Sequence, residues 1–133
     1  MSWNQQQTPG KRILLVEADP DIRTLVEDVL SLTRHKLVCA TDGNDCLDKL
    51  SWFKPQIILF NLTMPEMGGM DLAEELGRRS ELTDTKLILF TSSPFVGEQM
   101  RRRALPSPKL GFIRKPFTVI DLLAGLDFMK HRA

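Results

Sequence analysis

A chain of 133 residues suffices for one domain with a sizeable core and is too short for two ordinary ones. Hydrophobic residues make up 42%, charged residues 26%, and the net charge is +1, which argues against disorder and against a global pull toward nucleic acid or membrane. No apolar run approaches a membrane span, and the Met1–Gln7 stretch lacks the basic start and apolar centre of a secretion signal, so a cytoplasmic location is expected.

Residues 1–10 are polar, end in Pro9-Gly10 and predict a flexible lead, with Trp3 solvated; residues 11–133 form the domain. Lys11 to Glu17 predicts a buried first strand. Asp19-Pro20-Asp21 then reads as a helix start: Asp19 caps, Pro20 suits the first helical position, and Asp21 complements the positive helix end. Ile22, Val26, Val29 and Leu30 keep helical spacing, with Leu25 and Leu32 beside them. Leu37 to Ala40 predicts a second strand nearer the sheet edge. Thr41 to Asn44 reads as a turn. Cys46, Leu47, Leu50 and Phe53 make a second helical face that ends at Lys54-Pro55.

Ile57-Ile58-Leu59-Phe60 is short, wholly apolar and partly β-branched, as in a strand buried on both faces of a parallel sheet. Asn61 falls where that strand emerges. Met70 to Ser80 predicts a third helix, with Leu72, Ala73 and Leu76 inward and the pairs Glu74–Arg78 and Glu75–Arg79 outward. Lys86 to Phe90 predicts a fourth strand. Val96, Met100 and Ala104 keep helical spacing beyond Pro94, with Arg101-Arg102-Arg103 facing outward. Gly111 to Arg114 predicts a fifth strand, and Thr118 with Asp121 resembles a capping box at the last helix. Alternating strands and helices with right-handed crossovers predict a three-layer α/β/α sandwich on a mostly parallel sheet. Met64, Met67 and Met70 are read as covering the crevice rim and Trp52 as partial core. Cys39 and Cys46 are read as free thiols, and His35 and His131 lack metal-ligand spacing.

The predicted strand ends carry Glu17, Asn61, Thr91-Ser92 and Lys115. In an open α/β sheet the functional crevice lies outside the carboxyl ends of the strands. A carboxylate, an amide, a hydroxyl and an ammonium gathered there can bind a phosphate or a divalent cation. Polar residues are common at strand ends, so spacing alone does not make them a site.

The stretches KRILLVEADPDIR, ATDGNDCLDKL, PQIILFNLTMPEMGG, LILFTSS and FIRKPF resemble the receiver domain of two-component response regulators, from Lys11 to Lys130. The resemblance implies the CheY-like, flavodoxin-like sheet of five parallel strands in the order 2-1-3-4-5. It also implies phosphorelay signalling with a histidine kinase or a downstream effector as partner. In that family an aspartate ending the third strand accepts a phosphoryl group, and two acids after the first strand hold Mg²⁺. Carried over, Lys115 and Thr91 keep their positions, small Ser92 leaves access, and Phe112 holds the aromatic switch position without a hydroxyl.

Two positions depart from the pattern. Asn61 stands at the acceptor position, and the acid pair falls on Glu17 and Ala18. An amide oxygen is a poor nucleophile for acyl-phosphate formation. Glu17, with Asp19 as a partial substitute, is the residual acidic pocket, and any weak Mg²⁺ site would draw on Glu17, Asn61 and Thr63. The uncharged Asn61 leaves Glu17 to pair with Lys115 without metal. The expected function is therefore a pseudo-receiver without ordinary aspartyl phosphorylation, acting through protein–protein contact and not as an enzyme. A phosphorelay receiver with altered acceptor chemistry, at Thr63, Asp19 or Glu66, is the alternative. Nucleic-acid binding through Arg101–Arg103 comes last, since basic runs in a nearly neutral domain are usually solvated faces. Homodimers through the fourth and fifth helices occur in such receivers; Pro106 and Pro108 reshape that face here.

Overall fold

The computed structural model describes residues 10–61, 64, 66–91, 98, 110–115, 118 and 121–126. Five strands carry the fold: β1 (Arg12–Val16), β2 (Lys36–Ala40), β3 (Ile57–Asn61), β4 (Lys86–Thr91) and β5 (Leu110–Arg114). Three helices alternate with the first four: α1 (Pro20–Leu30), α2 (Gly43–Phe53) and α3 (Gly69–Gly77). A 3₁₀ turn at Ser80–Leu82 follows α3, and residues 121–126 are helical. All pairings are parallel, in the order β2-β1-β3-β4-β5, as the resemblance implied.

The sheet separates two cores, because successive residues of a strand point to opposite faces. Leu14, Val16, Ile58, Phe60, Leu87 and Leu89 pack on one face under α2 and α3. Ile13, Leu15, Ile57, Leu59, Ile88 and Phe90 pack on the other, under α1 and residues 122–126. Every residue of β3 is buried, which is why its sequence is an unbroken apolar run rather than an alternation. Each of these aliphatic side chains contributes on the order of 2 kcal/mol through removal from water.

The helix ends follow from local chemistry. Asp19 caps α1, accepting from the Asp21 N–H at 2.9 Å, with Pro20 at the first position. Asp42 caps α2 and accepts from the Asp45 N–H at 2.8 Å, so the expected turn over residues 41–44 is instead a helix start. Asp45 in turn accepts from the Thr41 N–H at 3.0 Å and pairs with Lys49 at 3.1 Å. The Thr41 N–H first, and then the Lys49 ammonium, hold the Asp45 carboxyl below the usual carboxylate range. Thr118 and Asp121 cap reciprocally, each N–H donating to the other's side chain at 3.0 Å, as the capping box requires. Helix α3 ends at Gly77, earlier than expected, and its outward pairs form: Arg78 to Glu74 at 3.6 Å and Arg79 to Glu75 at 3.3 Å.

Several expectations need correction. Trp52 is 62% exposed and stacks edge-on against Phe53 rather than entering the core. Leu32 is 81% exposed, because α1 ends at Leu30 before its turn comes round to the sheet; Leu25 is also exposed. Met70 belongs to the core, while Met64 and Met67 are half-buried against it. Cys46 is buried on the α2 face and Cys39 lies half-buried on the opposite one, so the free thiols are kept apart by the sheet. Residues 1–9, Arg101–Arg103, Pro106 and Pro108 lie outside the described residues, as does the expected fourth helix apart from helical Glu98. No helix among the described residues is long and apolar enough to cross a membrane.

Candidate functional site

The carboxyl ends of β1, β3, β4 and β5 lie side by side along one rim of the sheet. Glu17 continues β1 by one residue, its N–H donating to the Ala40 carbonyl at 2.9 Å. Asn61 is the last residue of β3 and stands in register with Phe90 of β4. The Lys115 N–H donates to the Thr91 carbonyl at 2.7 Å, which ties the end of β5 to the end of β4. Parallel register thus places Glu17, Asn61, Thr91 and Lys115 at one rim of the sheet.

Within it, Glu17 and Asn61 are joined directly. Glu17 is 6% exposed and Asn61 is 3% exposed. The Asn61 Nδ2 donates to Glu17 Oε1, and the Asp19 N–H donates to Glu17 Oε2 at 3.0 Å. Turning the amide over would set two oxygens against each other, so electrostatics fixes the nitrogen toward Glu17. Among the described residues, the buried Asn61 Oδ1 has no hydrogen-bond partner.

Asp19 enters through its backbone; its exposed carboxylate serves the α1 cap, which corrects its assignment to an acidic pocket. The expected Glu17–Lys115 pair is also corrected: among the described residues no ion pair joins them, and the Glu17 oxygens are met by N–H groups instead. Thr91 is buried at the rim. Phe112 lies in β5 opposite Leu89; Thr63, Ser92 and the Phe112 side chain fall outside the described residues.

Arg23 is a member that sequence reasoning missed. Its guanidinium donates to the carbonyls of Glu17 and Ala18 at 2.8 and 3.0 Å, clamping the loop after β1. The available signal was its place in the first turn of α1, since helical side chains lean back toward the N-terminus. Glu66, at φ 69°, adopts the left-handed conformation in the loop that follows β3.

This donor set does not fit Mg²⁺. The ion favours six oxygen ligands and anionic charge. Here the one carboxylate turned inward already accepts two N–H bonds, Ala18 offers no side-chain oxygen, and the Asn61 Nδ2 occupies the approach to Glu17 as a donor. Among the described residues no group of three or more His, Cys, Asp or Glu is placed to hold a metal.

A five-stranded doubly wound parallel sheet with polar residues gathered at its carboxyl rim defines a class of α/β domain that works at its strand ends. Residues 13–127 match the family model for the response regulator receiver domain, and the chain belongs to that family. It is similar to the chemotaxis protein CheY of Thermotoga maritima, 28% identical over 119 residues that cover 89% of this chain and 96% of that one. It is also similar to the sensor histidine kinase TmoS of Ectopseudomonas mendocina, 28% identical over 92% of this chain but only 12% of the kinase. The solved structure of the chemotaxis response regulator CheY4 of Vibrio cholerae shares the fold, with TM-score 0.81 at 23% identity over 92% of this chain and 99% of that one. The protein is accordingly a receiver domain of two-component signalling.

Proposed function

We propose that this receiver has left ordinary aspartyl phosphorylation and signals by protein–protein contact with a kinase or effector. The observation that carries the reading is the buried bond from Asn61 Nδ2 to Glu17. In an aspartyl receiver the acceptor carboxylate must be free to attack phosphorus, with a cation to offset the charge of its neighbours. Here the acceptor position holds a neutral amide whose nitrogen neutralises the demand of Glu17 directly. Both Glu17 oxygens are met by N–H donors of this chain, from Asn61 and Asp19. Lys115 and Thr91 retain positions from which an incoming group could be read.

Intact mass after incubation with Mg²⁺ and acetyl phosphate tests this, with the Ala18→Asp, Asn61→Asp double variant alongside. The expected result is no phosphoryl adduct on the native chain and an adduct on the variant. An adduct on the native chain would overturn the reading, and its position would name the residue that took the acceptor's place.

A further inference from the structure

At the opposite end of the sheet, where the strands begin, lies a half-open cleft of about 630 Å³. That volume lies within the range of small-molecule sites. Its floor is apolar, made by Leu50, Pro55 and Leu82. Its rims carry opposite charge. Arg12 and Lys54 stand on the β1 side, and Glu81 and Asp84 stand before β4. Among the described residues, Arg12, Lys54 and Glu81 form no ion pair with one another or with any other group. Arg12 is oriented by its Nε, which donates to the Lys54 carbonyl at 2.8 Å and leaves the guanidinium fork available.

Lys54 adds a second, independent observation. It closes α2 in the left-handed conformation, φ 53° and ψ 63°. Glycine or asparagine is the usual residue there, and the following Pro55 disfavours helical-type backbone further. A strained lysine at the rim of a cleft, its ammonium in no ion pair among the described residues, points to a use for that ammonium.

We propose that this cleft binds a short zwitterionic peptide with apolar side chains. The peptide carboxylate meets Arg12 and Lys54, its ammonium meets Glu81 with Asp84 beside it, and its side chains cover Leu50, Pro55 and Leu82. A purely anionic or purely cationic ligand would face one repelling rim, and an uncharged one would leave both rims unused. The site is separate from the Glu17–Asn61 crevice, and the proposal does not depend on the function proposed for that crevice.

The test titrates the full chain with the dipeptide Leu-Leu, followed by amide NMR shifts and thermal melts. Saturable shifts are expected at residues 50–56 and 81–85. N-acetyl-Leu-Leu and Leu-Leu-amide are each expected to bind about tenfold more weakly, the usual size of one lost charge contact. Lys54→Gly separates ligand binding from folding. It is expected to melt higher than the native chain, because the strain is relieved, yet to bind about tenfold more weakly. Glu81→Gln is expected to shrink the difference between the free and acetylated dipeptides, and an unchanged difference would overturn the assignment of the ammonium to this rim. No saturable shift, equal binding of the capped forms, or shifts confined to the Glu17–Asn61 end would each overturn the proposal.

Discussion

Asn61 and Glu17 meet across adjacent strands, β3 and β1, so that a neutral donor faces a buried carboxylate where two carboxylates would repel. Asn61→Asp converts that contact into a like-charge pair. Its unfolding free energy at pH 7 is expected to fall by about 1–3 kcal/mol. The new pair shares a proton with a raised pKa, so the deficit shrinks as the pH falls and the pair becomes protonated. Urea unfolding of the variant and native chains across pH 5–8 checks this; equal stability throughout would show that the two side chains do not interact.

A pH effect of opposite sign belongs to Asp45. Its carboxyl is held below the ordinary value of 3.8 chiefly by the Thr41 N–H. A depressed pKa contributes stability above the unfolded value, and that stability is lost as the pH falls through the folded value. Asp45→Asn is therefore expected to lower the melting temperature at neutral pH, by the equivalent of about 1 kcal/mol for a weakened cap. The variant and native curves should converge below roughly pH 4.

The cysteines are expected to differ in reactivity. Burial pushes the Cys46 thiol up to about 12, with Asp45 adding to the effect, and burial, then Glu27, raises Cys39 less far. The thiolate is the reactive form. A thiol-specific reagent at pH 8 should modify Cys39 slowly and Cys46 only at the rate of unfolding. Oxidation without denaturant should yield no intramolecular disulfide, because the two lie on opposite faces of the sheet.

Gly43 marks a close approach. A Cβ there would stand 2.8 Å from the Met67 sulfur and 3.2 Å from the Met67 Cβ. Gly43→Ala is expected to destabilise by about 1 kcal/mol despite alanine's better helix propensity. Combined with Met67→Ala, which removes the sulfur but keeps the Cβ, the same substitution should cost less. A double-mutant cycle measures that coupling directly.

Much of this was legible beforehand. The unbroken apolar runs of β1, β3 and β4 declared strands buried on both faces, and Asp19-Pro20-Asp21 and Thr118–Asp121 declared helix starts. Their signals are local, so tertiary context did not change them. Trp52 and Leu32 misled because helical periodicity names a face but not where a helix stops or how far its partner extends. The Glu17–Asn61 bond and the Asp19 N–H were invisible for another reason. Polar type and strand-end placement bring candidates together, but which nitrogen meets which oxygen is decided in three dimensions. Glu17 was paired with the obvious cation, Lys115; backbone and amide donors had no comparable signature.

The wall that β1, β3 and β4 raise between the two cores has a consequence for how the domain changes over time. Side chains beneath α1, such as Val26 and Val29, share no cavity with those beneath α2 and α3, such as Leu50 and Leu72. Losses on the two faces should therefore sum to within about 0.5 kcal/mol, whereas paired losses on one face should not. Drift on either flank is then judged on its own, and one surface can be rebuilt for a new partner while the other stays as it was.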